Sequence, residues 1–121
     1  MCKRGDIYYV DFGNNQDSYK QNGIRPALIV SNNKANKNSP VITVVPLTKQ
    51  IWKKPNLPTH VLIPQRVSTG LNKESMVLAE QVETVDKKLL VGKIGSISDD
   101  LLMEQVTIAL QIQIGAFSEY N

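Results

Sequence analysis

The sequence predicts a mainly β (α+β) chain, a small barrel-like sheet followed by one C-terminal α-helix. Three observations lead there. Short β-branched and aromatic runs, each bounded by Gly, Asn or Pro, fill the first two-thirds of the chain. Apolar residues then change to helical spacing beyond Ser98. A length of 121 residues, 41% hydrophobic and 21% charged, suits a single domain spanning 1–121 with one modest core.

Taken in order, Ile7 to Phe12 (IYYVDF) is the first predicted strand, bounded by Gly5 and Gly13. Ile24 to Ser31 (IRPALIVS) holds the continuous Ala-Leu-Ile-Val run of a strand buried on both faces. Pro26 must then lie near its start or on an edge. Val41 to Leu47 (VITVVPL) is β-branched and reads as the third strand, with His60 to Ile63 a shorter one. Met76 to Val82 fits helix or strand by composition, and its flanks, Ser75 and Thr84-Val85-Asp86, favour a strand. A short helical turn is expected from Asp86. Ser98 is the expected N-cap of the final helix, with Asp99 and Asp100 at its positive end. Leu102, Val106, Ala109, Leu110 and Phe117 form its apolar stripe, which Leu101, Ile108 and Ile112 widen. That width fits a helix lying on its own sheet, or one whose flank meets a second subunit.

Charge and cysteine content narrow the class. Fourteen Lys and Arg against eleven Asp and Glu give +3 and a pI near 9.0, a mild bias toward polyanions. Cys2 stands alone, which excludes an intramolecular disulfide and a multi-cysteine zinc site. Next to Met1, it reads as an incidental terminal residue. The N-terminus has no apolar signal region, and no apolar run approaches the ~20 residues of a membrane span. A soluble, cytoplasmic protein without membrane association is expected.

The residue inventory also limits the chemistry. One histidine, His60, excludes a paired-histidine acid/base centre, and its place at a strand start suits a structural hydrogen bond better than catalysis. The acids are scattered rather than clustered as a two-metal site needs. Phosphate-cradling glycine loops and nucleophile elbows are lacking. No metal or cofactor is expected, and any active centre must rely on hydroxyls, amides and guanidinium. Two long polar connections, Gly13 to Gly23 and Lys49 to Thr59, interrupt the strands. In the second, Lys49, Lys53 and Lys54 surround Trp52. Cations beside a flat aromatic surface suit single-stranded nucleic acid, where base stacking is worth about 1–3 kcal/mol per base. A solvated lysine-rich loop with Trp52 in a crevice fits equally well.

Five motifs in order carry a resemblance to a known family: Arg4-Gly5-Asp6-Ile7; Gln21-Asn22-Gly23-Ile24-Arg25-Pro26; Pro46-Leu47-Thr48; Leu57-Pro58-Thr59-His60-Val61; and Ser75 through Leu90. Together they resemble the MazF/PemK toxin endoribonucleases over nearly the whole chain. The resemblance implies the CcdB/PemK-type small β-barrel, Src-homology-3-like, with a C-terminal helix, usually as a homodimer. It implies metal-independent cleavage of single-stranded RNA within short sequence motifs, and neutralisation by a cognate antitoxin. It places catalysis on Arg25 and Thr48. Ser18, Gln21, Lys49, Trp52, Lys53 and Gln81 are the expected RNA-binding residues.

The chemistry is coherent with that assignment. RNA carries its own nucleophile, the 2′-hydroxyl, so the enzyme must align it and stabilise charge on the phosphorane. Arg25 offers a planar fork of donors matched to phosphate oxygens, and as a group that stays protonated it is a poor general base. Thr48 offers a positioning hydroxyl. The expected products are a 2′,3′-cyclic phosphate and a 5′-hydroxyl. The sequence departs from the family pattern in its first loop, which is one residue longer, carries Asn22 for a glycine and lacks the usual Glu. Glu83 and Leu89 stand where many relatives have basic residues. Two rivals share the barrel: a CcdB-like toxin that inhibits a DNA topoisomerase by binding, and a catalytically silent RNA-binding barrel. The former carries a terminal Trp-Gly-Ile, whereas this sequence ends Phe117-Ser118-Glu119-Tyr120-Asn121.

Overall fold

β-Branched runs become strands where they can bury both edges of their pleat. In the computed structural model, which describes residues 1–51 and 57–117, seven of them pair into one antiparallel sheet. They are β1 (Asp6–Asp11), β2 (Ile24–Ile29), β3 (Val41–Thr48), β4 (His60–Ile63), β5 (Ser75–Leu78), β6 (Glu83–Asp86) and β7 (Leu90–Ser96). Two helices, α1 (Asn33–Asn38) and α2 (Asp100–Gln113), complete the regular structure. The pairing order is β4-β5-β3-β2-β1-β7, with β6 on β3. The path does not close: β4 and β7 stand at its two ends.

The central strands are buried on both faces, which explains the unbroken Ala-Leu-Ile-Val run. Ala27, Ile29, Ile42 and Val44 join one core cluster with Val10, Phe12 and Val85. Leu28, Val30, Val45 and Leu47 join the other, which α2 covers with Leu102, Val106 and Ala109. Each fully buried aliphatic side chain contributes about 1.5–3 kcal/mol. Cys2 is not incidental: it is buried as part of the first cluster.

β3 changes neighbours along its length. Val41–Val44 pair with β6, whereas Leu47 and Thr48 pair with β5. Pro46 lies between the two ladders, where its missing N–H costs least. The chain between β5 and β6 makes a 3₁₀ turn, Ala79–Gln81. The strand expected over Met76 to Val82 is therefore corrected to Ser75–Leu78 plus this turn, because β5 must leave β3 for β6 to take its place. A 3₁₀ turn at Lys87–Leu89 matches the helical turn expected from Asp86.

Three further points differ from expectation. The N-cap of α2 is Asp99, not Ser98: its carboxylate accepts from Leu101 N at 3.0 Å and Leu102 N at 3.2 Å. α1 was hidden in an Asn- and Lys-rich stretch. It is capped by Asn32 and pinned by buried Asn36, whose Nδ2 donates to Ser31 O at 2.8 Å. β7 carries two glycines, and Gly95 packs so closely on Ser68 and Thr69 that a Cβ would lie 2.4 Å from Thr69 C and O. Leu101 and Ile108, the residues that widened the helical stripe, remain exposed at 72% and 42%.

The opening Arg-Gly-Asp motif is structural throughout. The Arg4 guanidinium donates to Val30 O and to Thr107 Oγ1, latching α2 onto the end of β2. Gly5 has φ +95° and bridges Ile29 O and Ile97 N. Asp6, buried, accepts from Lys3 N at 2.8 Å and pairs with Lys93 at 3.4 Å.

Candidate active site

The site begins where β2 and β3 part. Their ladder runs from Ile29–Val44 to Ala27–Pro46 and stops there, since Pro26 has no N–H to offer. Continued by two residues, the register sets Arg25 across from Thr48, and opposed residues share one face of a sheet. Between them opens a cleft of about 400 Å³ lined by Gln21, Ile24, Arg25, Pro26, Leu47, Thr48, Lys49, Gln50 and Leu78. The lining holds two cations and no carboxylate, so a polyanion entering it meets only attraction.

Arg25 is exposed and anchored at one point: its Nε donates to Asn22 O at 3.1 Å. It lines the cleft and has no carboxylate partner among the described residues, so its charge there is uncompensated. Thr48 is half-buried at the end of β3, and its Oγ1 accepts from Gln50 N at 3.1 Å. Accepting that bond fixes the rotamer and leaves the hydroxyl proton available for donation. Lys49 donates from Nζ to Asn72 Oδ1 at 2.5 Å.

The first loop is closed at its neck. Phe12 N donates to Gly23 O and Gly23 N to Gly13 O, at 2.9 and 2.8 Å. Asn15 Nδ2 donates to Phe12 O and to Gln21 O, at 3.0 and 2.7 Å. The Asn22 side chain accepts from Asn15 N. This is a cross-loop bond that a glycine at position 22 could not make. The loop also rests on the sheet: Gln81 Nε2 donates to Tyr19 O at 3.2 Å, and Lys20 pairs with Glu83 at 3.2 Å. Glu83 therefore engages the loop itself.

Of the residues singled out from sequence, the cleft brings together Arg25, Thr48, Gln21 and Lys49. Ser18 does not line it. It sits in a shallow depression with Asn14 to Asp17, its Oγ accepting from Lys20 N at 3.1 Å. Gln81 lies outside the lining and supports the loop through Tyr19. Trp52 and Lys53 fall outside the described residues. Sequence reasoning missed Ile24, Gln50 and Leu78. Gln50 had a legible signal, since a residue two past a Thr commonly donates its N–H to that hydroxyl. His60 makes the structural bond expected of it, Nε2 to Glu80 Oε2 at 2.8 Å. Among the described residues no three His, Cys, Asp or Glu converge as a metal site, and no helix is long and apolar enough to cross a membrane.

Residues 3–114 match the family model of PemK-like, MazF-like toxins of type II toxin–antitoxin systems. The chain belongs to this family. It is 41% identical over 114 residues to the endoribonuclease EndoA of Bacillus subtilis (strain 168), covering 94% of this chain and 95% of that protein. Among solved structures, a mycobacterial endoribonuclease in complex with its cognate antitoxin is 30% identical, with a TM-score of 0.75 over 95% of this chain and 96% of that one. A Deinococcus radiodurans MazF shares the fold with a TM-score of 0.76 at 21% identity, over 95% and 97% of the two chains. By its membership the chain is a MazF-like endoribonuclease toxin, and the topoisomerase-inhibitor reading falls away. The MazF-like fold expected from sequence is present, with an open rather than closed sheet.

Proposed function

We propose that this toxin, acting as one domain over 1–121, cuts single-stranded RNA at short sequence motifs without a metal ion, with Arg25 and Thr48 as its catalytic pair. The observation that carries the reading is the acid-free cleft into which Arg25 and Thr48 both project from parted strand ends. The 2′-oxygen forms a bond to phosphorus as the bond from phosphorus to the 5′-oxygen breaks. The 2′-hydroxyl gives up its proton and the leaving 5′-oxygen gains one, leaving a 2′,3′-cyclic phosphate and a 5′-hydroxyl. Arg25 stabilises the added negative charge on the equatorial oxygens and stays protonated, while water takes the 2′-proton and supplies the one gained by the leaving oxygen. Thr48 holds a non-bridging oxygen or the 2′-hydroxyl in line. Gln21 and Lys49 bind the chain on either side. Ser18, Trp52, Lys53 and Gln81 act in binding through the two loops.

A cognate antitoxin is the natural protein partner, as it is for the mycobacterial relative solved with one. Exposed Leu62, Leu101 and Ile108 supply apolar surface for such a partner or for a second copy in a cytoplasmic homodimer. The deciding experiment incubates wild type and Arg25→Ala with a long single-stranded RNA in excess EDTA. Wild type is expected to leave cyclic-phosphate ends and the variant to leave the RNA whole. Intact RNA with wild type, or equal cutting by the variant, overturns the reading.

A further inference from the structure

The 3₁₀ turn Ala79–Gln81 and the residues after it hold the first loop, which supplies Gln21 to the cleft, and the Thr59–His60 junction. On one side, Ala79 N donates to Thr59 O at 3.0 Å. Thr59 Oγ1 donates to Glu80 Oε1 at 3.1 Å, and His60 Nε2 meets Glu80 Oε2 at 2.8 Å. Thr59 is the last residue of the second loop and His60 the first of β4. The His60 side chain is 2% exposed and that of Glu80 31%, so a buried imidazole meets a half-buried carboxylate. On the other side, Gln81 Nε2 reaches Tyr19 O and Glu83 reaches Lys20, both in the first loop. Leu78, immediately before the turn, lines the cleft.

None of Thr59, His60 or Glu80 lines the cleft, so the network has no reach to a scissile phosphate. Its geometry serves a different end. A carboxylate that accepts from two neighbours fixes the turn in rotation as well as position, and charge-assisted bonds in a low-dielectric setting are the strong ones. One residue past Glu80, the same turn sets where Gln81 meets Tyr19. We propose that Glu80 is a positioning residue that ties the Thr59–His60 junction to the first loop through the turn carrying Gln81, holding that loop in place beside the cleft so that RNA binds to a preformed track. This inference rests on the ribonuclease reading of the cleft. Removing the carboxylate takes the acceptor from Thr59 and one partner from His60, and lets the turn carrying Gln81 rotate.

The test uses full-length Glu80→Ala, Glu80→Gln and Thr59→Val, read by amide hydrogen exchange of residues 13–23 and by KM and kcat on a long single-stranded RNA. Glu80→Ala is expected to speed exchange in the first loop about tenfold, although Glu80 does not touch that loop. KM should rise by a similar factor, with kcat within about threefold of wild type, because the hydrogen bonds that fix Arg25 and Thr48, to Asn22 and Gln50, involve none of the network's residues. Glu80→Gln should restore both readouts, since its amide can still accept from Thr59 and pair with the imidazole. Thr59→Val, which removes one bond and keeps the shape, should shift both in the same direction by a smaller factor, and carries the test should Glu80→Ala not fold. Unchanged exchange over residues 13–23, or a fall in kcat at constant KM, overturns the proposal. A wild type that leaves RNA intact defeats the ribonuclease reading instead, and the exchange measurement still decides whether Glu80 holds the first loop.

Discussion

Arg25 and Thr48 both line the cleft that opens beyond the last registered pair of β2 and β3, Ala27 with Pro46. Paired strands would fill that gap with backbone. Pro26 ends the ladder early and leaves a cleft with a guanidinium on one bank and a hydroxyl on the other. The rate should depend on the shape of each group. Arg25→Lys keeps the charge but loses the planar fork and the Nε bond to Asn22 O. It is expected to lower kcat by about 10². Thr48→Val should cost about as much and Thr48→Ser little, because serine keeps the oxygen that Gln50 N binds. Single-turnover kinetics at saturating RNA check this, and a fully active Arg25→Lys would reduce Arg25 to a binding charge.

Why was this pair legible when other parts were not? Neither residue is distinctive alone. Arg25 beside Pro26, and Thr48 after Pro46-Leu47, acquire meaning only in an ordered set of motifs. Most of those motifs prove structural: Arg4 latches a helix, Asp6 is a buried acceptor, and Thr59 and His60 clamp Glu80. The buried strands were legible because both faces demand apolar residues. β6 and β7 were not, since their alternation is broken by charges and glycines that make sense only against β3 and the Thr69 turn. α1 was hidden because its stability lies in capping and a buried Asn36, which a polar composition conceals. The roles of Ser18 and Gln81 depend on which backbone groups lie across space, and spacing along the chain carries no record of that.

Lys49 tests the electrostatic part of the site. Lys49 lines the cleft and its ammonium rests on Asn72, so an arriving phosphate needs only to compete with a neutral acceptor. Each phosphate neutralised on a single strand contributes about −0.7 to the slope of log K against log salt. Lys49→Gln is therefore expected to make the slope shallower by about 0.7, with binding to a non-cleavable 2′-deoxy substrate weakened at low salt. Fluorescence titrations at several salt concentrations give both values. An unaltered slope would place Lys49 outside the phosphate track.

Gly95 tests the closeness of β7 to the Thr69 turn. A methyl group there would meet three backbone atoms, Thr69 C and O at 2.4 Å and Ser68 O at 2.6 Å. Backbone cannot swing aside as a side chain does. Gly95→Ala is expected to lower unfolding free energy by ~3 kcal/mol. Gly92→Ala, on the same strand with open space around its Cα, should change it by less than about 1 kcal/mol. Urea melts of the pair settle the matter, and equal stabilities would mean that β7 has room to move.

Tyr8 gives the fold a sensitivity to alkali. Its ring packs against the cluster of Val10, Phe12 and Cys2. Burial raises its pKa above the ordinary 10.0, the charge of Asp6 and the Cys2 thiol add to the rise, and Lys93 opposes it. A raised folded-state value means that the neutral phenol is favoured in the native protein more than in the unfolded chain. The associated stability is fully present below pH 10.0 and is lost as pH climbs from there through the folded-state value. Tyr8→Phe removes the titration while keeping the ring. The stability of wild type relative to Tyr8→Phe is expected to be constant from pH 7 to 9 and to fall above pH 10. Thermal melts across that range supply the difference directly. A flat difference up to pH 11 would mean that the hydroxyl is solvated and that Asp6 acts on Lys93 alone.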